Sequence, residues 1–207
     1  MNYEKPLRAA LHLLCLLPFL WIVWQVWLMF SYQPHALTAN PFQYINQYTG
    51  DWTIRILLAS LAVTPLRKLL KKNGLIKWRR PLGLYAFFYG LLHLGNYLVL
   101  DHFFDWAVIW QDLVKRPAMT FGMIALFLMI PLAVTSTKKM IRRLGRIWPR
   151  LHRLVYLIGI LAVVHNIMMV KADLREPLIH AAILCLLLGY RLYDKYRPGL
   201  VKRLSFT

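Results

Sequence analysis

Six long apolar runs dominate the chain, at roughly 9–30, 52–70, 81–100, 117–137, 149–170 and 177–193. A helix needs about 20 mostly apolar residues to cross the hydrocarbon core of a bilayer. In lipid each backbone N–H and C=O must be satisfied within the protein, which a helix does by itself. The runs therefore predict an all-α integral membrane protein, a bundle of six transmembrane helices in which residues 1–207 form a single domain. The first run is too long for a signal-peptide core, and no small-residue cleavage site follows "WIVWQVWLMF". Pro18 and Pro131 are expected to kink the first and fourth helices. No internal repeat, low-complexity tract or second domain is visible.

Composition sharpens this reading. The chain is 59% hydrophobic and only 16% charged, yet its net charge is +18. So basic a chain would suggest nucleic acid as a partner if the charges covered a folded polar surface. Here they fall in blocks between apolar runs, which points to membrane lipid instead and to no nucleic acid. Cys15 and Cys185 lie singly inside apolar runs and are expected to be small packing side chains.

The charge blocks also orient the bundle. One side would hold the N-terminus, "RKLLKKNGLIKWRR", "KKMIRRLGRIWPRLHR" and the C-terminal tail, with 21 of the 26 Lys and Arg residues. The other side would hold Arg55, Lys115, Arg116, Lys171 and Arg175, with six of the eight acids. Positive loops resist translocation, so both termini are expected in the cytoplasm of a cell whose inner membrane the chain spans. Arg79, Arg80, Arg150 and Arg153 in the basic segments anchor the topology against anionic lipid or pair with cofactor phosphates or propionates. On the outer side, "LDHFFDWAVIWQD" sets Asp101, Asp105 and Asp112 beside Trp106 and Trp110. That segment reads as an aromatic belt, with room for a docking rim.

Histidines carry the chemistry. His93 and His165 fall deep within the third and fifth runs, where an unpaired polar side chain is costly. Both helices run outward from the basic side. Counted from Arg80 and Arg153, the two histidines lie roughly 20 and 18 Å in, at about 1.5 Å per residue. Two imidazoles facing each other at one level are what axial ligation of a haem requires. Gly83, Gly90, Gly95 and Gly159 leave room for a flat cofactor, or serve plain helix packing. His152 should point some 140° away from His165 around an ideal helix, at about 100° per residue. It is a candidate for a second site, with His12 on the first helix as its partner. His35 and His102 are expected in solvated loops, and His180 to be satisfied by packing.

The runs "LGLYAFFYGLLHLGNYL" and "PLAVTSTKKMIRRLGRIWPRLHRLVYLIGILAVVHNIM" resemble the ferric-reductase-like transmembrane domain. The amino-terminal "LHLLCLLPFLWIVW" and "LLASLAVTPLRK" resemble one bacterial branch of that family, so the likeness covers nearly the whole chain. It implies b-type haem (one, with a second left open) and FMN in an electron-transfer subunit that is not an enzyme alone. It further implies delivery of electrons to a periplasmic molybdopterin reductase acting on methionine sulfoxide in oxidised proteins. The larger relatives carry a second pair of histidines. Here Arg80 and Ala107 flank His93 at the corresponding spacing, so the inner haem loses that ligand. No GxGxxG fingerprint is present, and electrons are expected from quinol or a cytoplasmic flavin reductase. A metal or proton transporter built on the membrane histidines is the rival class, but transporters usually place acids or broken helices at the midplane. A purely structural anchor would leave His93 and His165 unexplained.

Overall fold

The computed structural model describes residues 4–170 and 173–204. Lys171, one of the five outer-side basic residues, and the two chain ends lie outside the described residues. Among those described the fold is all-helical, with no strand. The α helices are α1 (Glu4–Phe30), α2 (Pro41–Leu69), α3 (Arg79–Gly95), α4 (Trp106–Lys115), α5 (Pro117–Val134), α6 (Lys138–Leu144), α7 (Ile147–Leu151), α8 (Leu154–Met169) and α9 (Arg175–Leu204). A 3-10 turn over Asn73–Trp78 leads into α3, and a π turn over Asn96–Asp101 continues it.

Among the described residues five stretches are long and apolar enough to cross a membrane: Pro6–Phe30, Asn73–Asp101, Pro117–Val134, Ile147–Met169 and Arg175–Tyr196. The expected second run is absent from this set. It lies within α2, which carries Asp51, Arg55, Arg67 and Lys68 and is more polar than α1, α3, α5 and α8. Its apolar residues instead form the centre of the bundle. Ile54, Ile56, Leu57, Leu58, Leu61 and Val63 are all buried, on more than one side of the helix. α2 packs against α3, α9, α8 and α1. It also begins earlier than the apolar run suggests. Asn40 caps it, its Oδ1 accepting from Gln43 N at 3.1 Å, and Pro41 opens the first turn without a wasted N–H.

Prolines leave carbonyls without helical partners, and other helices supply them. Pro65 has no N–H for the Leu61 carbonyl; Arg191 of α9 donates Nη2 to it at 2.7 Å and Nη1 to Tyr156 Oη at 2.5 Å. One guanidinium thus ties α9 to α2 and α8. Near Pro18, the hydroxyl of Tyr89 inserts into the α1 ladder. It donates to Cys15 O at 2.7 Å and accepts from Phe19 N at 3.0 Å, opening the helix where a kink was expected. Tyr89 is fully buried, as is Leu61 beside it in the core. Two ion pairs fix α9 along α2: Arg55–Glu176 at 2.8 Å near one end and Lys68–Asp194 near the other.

The fifth run departs most from a single helix. α7 ends at Leu151, a turn covers His152 and Arg153, and α8 starts at Leu154. The 140° separation expected on an ideal helix therefore does not apply. Gly145 closes α6 at φ +47°, in the left-handed region that favours glycine.

Candidate functional site

Two helical hairpins build the site. In the first, α2 and α3 pack together; in the second, α5 and α8 do. His93 of α3 and His165 of α8 meet with ring centroids 6.1 Å apart and planes at 80°. The two side chains that the depth argument set at one level are thus neighbours. Two imidazole–metal bonds of about 2 Å each, added to the depth of the two rings, match such a separation.

Each ring is held the same way. His93 Nδ1 lies 2.9 Å from the carbonyl of Asn46, and His165 Nδ1 lies 2.7 Å from the carbonyl of Ala118. A carbonyl only accepts, so Nδ1 carries the proton in both rings and Nε2 keeps its lone pair. Neither Nε2 has a hydrogen-bond partner among the described residues. A histidine fixed through Nδ1–H to a backbone carbonyl is the usual arrangement of a metal ligand. In both cases the carbonyl precedes the histidine by 47 residues.

Glycine makes the approach feasible. A Cβ on Gly50 would stand 3.1 Å from Cε1 and Nδ1 of His93, and one on Gly122 would stand 2.8 Å from the same atoms of His165. A side chain would crowd His165 at Gly122, while at Gly50 His93 would have to give by a few tenths of an ångström. Of the glycines singled out from sequence, Gly90 and Gly159 instead serve helix packing, against Leu126 and Leu184. Gly95 faces open space, and only Gly83 borders a cavity.

Sequence reasoning missed Gly50, Gly122, Asn46 and Ala118, and it missed the signal that finds them. Asn46/Ala118, Gly50/Gly122 and His93/His165 are all separated by 72 residues. "LAVT" recurs at 61–64 and 132–135, followed each time by basic residues, a glycine (Gly74, Gly145) and a tyrosine (Tyr85, Tyr156), at a spacing one residue shorter. The expectation of no internal repeat is therefore corrected. The hairpins are two copies of one unit, blurred by a one-residue shift.

Toward the basic end a second cavity, of about 360 Å³, lies between the hairpins. Arg79, Arg80, Arg153 and His152 line it with Ser136, Trp148 and Tyr156. Arg150 is not among its lining residues, and neither is His12, whose Nδ1 sits 2.9 Å from Tyr85 Oη. The expected pairing of His12 with His152 in one site finds no contact between them. His152 also differs in kind from the deep pair. Its Nε2 lies 3.0 Å from Thr135 Oγ1, whose single proton goes to Pro131 O at 2.6 Å. The hydroxyl must then accept, so His152 is protonated on Nε2. Its ring stacks on Trp148 at 4.0 Å, and Trp148 Nε1 donates to Thr135 O at 3.0 Å. In the first hairpin the counterpart of Thr135 is Thr64, whose buried hydroxyl has no partner among the described residues, and that of His152 is Pro81. The basic-end site is one-sided.

At the opposite end His102 is not solvated as expected. It packs 4.4 Å from the Tyr97 ring, with Asp101 and Asp112 each 3.8 Å from its Nε2. Asp112 is buried, hydrogen-bonded by Tyr97 and paired with Arg116 at 3.2 Å. Trp106 and Trp110 of α4 are exposed, consistent with either reading of that face.

The ferric reductase like transmembrane component family matches residues 49–175, which include both hairpin clamps from Thr49 onward. The chain is 47% identical over 188 residues to the protein-methionine-sulfoxide reductase heme-binding subunit MsrQ of Xanthomonas campestris pv. campestris (strain 8004), covering 91% of this chain and 86% of that one. It is 50% identical over 191 residues to the protein of the same name from Rhodospirillum rubrum, covering 92% and 89%. No solved structure matches. With the family matched over most of the chain and these relatives over nearly all of it, this protein belongs to the ferric reductase like transmembrane family, among the MsrQ homologues.

Proposed function

We propose that this protein is a haem-bearing electron carrier of the inner membrane, with six spans and both termini in the cytoplasm. Its partner is a periplasmic molybdopterin methionine sulfoxide reductase of the MsrP type, which repairs oxidised proteins. One observation carries this reading: two imidazoles face each other, each with Nδ1 tied to a carbonyl and Nε2 free. Two protein ligands suit a metal whose remaining positions a macrocycle fills. Among the described residues no group of three or more His, Cys, Asp or Glu could hold a bare ion, which disfavours the transporter alternative.

In this reading His93 and His165 would hold a b-type haem, which when bound would supply one-electron chemistry. Asn46 and Ala118 hold the ligand tautomer, and Gly50 and Gly122 admit the rings. The cavity at the basic end takes FMN, with Arg79, Arg80 and Arg153 offering charge to its phosphate and Trp148 an aromatic wall. Lone His152, protonated on Nε2, is available through Nδ1 as a hydrogen-bond acceptor there. This departs from a second haem shared with His12. Electrons enter from quinol or a cytoplasmic flavin reductase and leave at the face carrying α4.

A membrane assay tests the proposal. With the purified periplasmic enzyme, methionine sulfoxide and a reductant on the cytoplasmic side, sulfoxide reduction should require this protein and fail in His93→Ala and His165→Ala. Equal turnover in membranes lacking the chain would defeat it. Reporter fusions at residues 75 and 145 should read as cytoplasmic, and at residue 107 as periplasmic.

A further inference from the structure

Arg191 is a half-buried cation inside the stretch of α9 fit to cross a membrane. Among the described residues no carboxylate pairs with it, and Asp194, one turn further along the helix, is taken by Lys68. Its Nη groups meet two neutral oxygens, Leu61 O at 2.7 Å and Tyr156 Oη at 2.5 Å, and its Nε is buried with no partner among the described residues. The Cζ atom lies 4.9 Å from the centroid of the Tyr156 ring. A guanidinium stays charged, and a charge withdrawn from water and met only by neutral acceptors is costly. Tyr156 connects that charge to the basic-end cavity, which it lines. Its oxygen accepts from Arg191, so the hydroxyl keeps its own proton to give, and no acceptor takes it among the described residues. The cavity is lined by three arginines and by no Asp or Glu, which fits an anionic guest. The other hairpin supplies the contrast. Tyr85, the counterpart of Tyr156, is not among the lining residues and lies 2.9 Å from His12 Nδ1. Only the tyrosine at the cavity is backed by a permanent cation.

We infer that Tyr156 and Arg191 together raise the reduction potential of the flavin in this cavity, with Tyr156 Oη donating a hydrogen bond to the flavin ring. Arg191 is a positioning residue behind it, fixing the hydroxyl and strengthening it as a donor. The inference rests on the proposed FMN site and adds two residues to it. A hydroxyl that accepts from a cation is polarised, and its own hydrogen bond is the stronger for it. Such a donor favours whichever form of the ring carries more negative charge. That is the reduced form, which holds two electrons and one proton more than the oxidised one. Arg79, Arg80 and Arg153 serve the phosphate, so the reduced ring is the counter-charge that Arg191 does not find among the described residues.

Spectroelectrochemical titration of the flavin in the purified full chain, loaded with FMN, tests this. In Tyr156→Phe the flavin potential should fall by roughly 30 mV, a tenfold change in a two-electron reduction constant, the size expected for one lost charge-assisted hydrogen bond. Arg191→Gln, which keeps a donor for the Leu61 carbonyl, should lower it similarly, and Arg191→Lys, which keeps the charge, should recover most of the fall. Tyr85→Phe should leave the potential where it is. An unaltered haem spectrum in Tyr156→Phe and Tyr85→Phe checks that the bundle is intact. Flavin bound to Tyr156→Phe at an unchanged potential, or an equal fall in Tyr85→Phe, would overturn the inference and leave the flavin site standing. Unaltered protein that neither retains flavin nor binds added FMN would instead overturn the flavin reading itself.

Discussion

The two ends of the paired hairpins start from the same sequence unit and finish differently. At the deep end both copies keep glycine, carbonyl and histidine, and the result is a symmetric pair of rings 6.1 Å apart. At the basic end only the second copy keeps its histidine. There Thr135 and Trp148 hold His152, while in the first hairpin Thr64 has no partner among the described residues and Pro81 stands at the position corresponding to His152. The repeated layout thus ends in a two-fold site where both hairpins carry a histidine and in a one-sided pocket where only one does. On the proposed reading a metal centre would suit the first, and a flavin with an anionic phosphate the second.

The largest effects should come from the deep pair. His93→Ala and His165→Ala should each abolish the low-spin haem spectrum while the helices remain inserted, because a ligand lost in a dry bundle has no substitute. His152→Ala should leave that spectrum in place and lower the flavin retained per chain. If His152→Ala removes the deep-site spectrum as well, the contrast between the ends collapses. Next are the glycines. Gly122→Ala should destabilise haem retention by about 1–3 kcal/mol, as overpacking does. Gly50→Ala should do so less, since its Cβ would meet His93 at 3.1 Å against 2.8 Å for Gly122 and His165. Thermal release of haem measures both, and the reverse order would break the argument from clearance. The smallest effects separate the threonines. Thr135→Val should cost about 1 kcal/mol by stripping His152 Nε2 of its acceptor, whereas Thr64→Val, which deletes an unpaired buried hydroxyl, should be neutral or stabilising. Detergent melts of the two variants decide this; equal losses would mean that Thr64 has a partner too.

Much of this was legible from the chain. Five of the six apolar runs correspond to stretches fit to cross a membrane, and counting from Arg80 and Arg153 placed His93 and His165 at one level. The remaining run, the second, was harder because α2 owes its place to burial inside the bundle: residues 46–51 (NQYTGD) of that helix look like a loop until His93 is seen packed on them. Gly50 and Gly122 could not be chosen over Gly90 or Gly159 by composition, since clearance from a ring on another helix is a tertiary property. The local Asn40–Pro41 start signal was present and went unused. For His152 the turn between α7 and α8 breaks the rotation on which its direction was calculated.

Low-temperature electron paramagnetic resonance of the oxidised protein tests the central claim most directly. Two axial imidazoles held near the 80° observed between His93 and His165 give a strongly anisotropic low-spin ferric signal with a large maximum g value. That signal should appear in the unaltered protein and in His152→Ala, and vanish in His93→Ala and His165→Ala. A high-spin signal, the rhombic pattern of coplanar imidazoles, or a signal unchanged by either deep-histidine substitution would contradict the matched clamp.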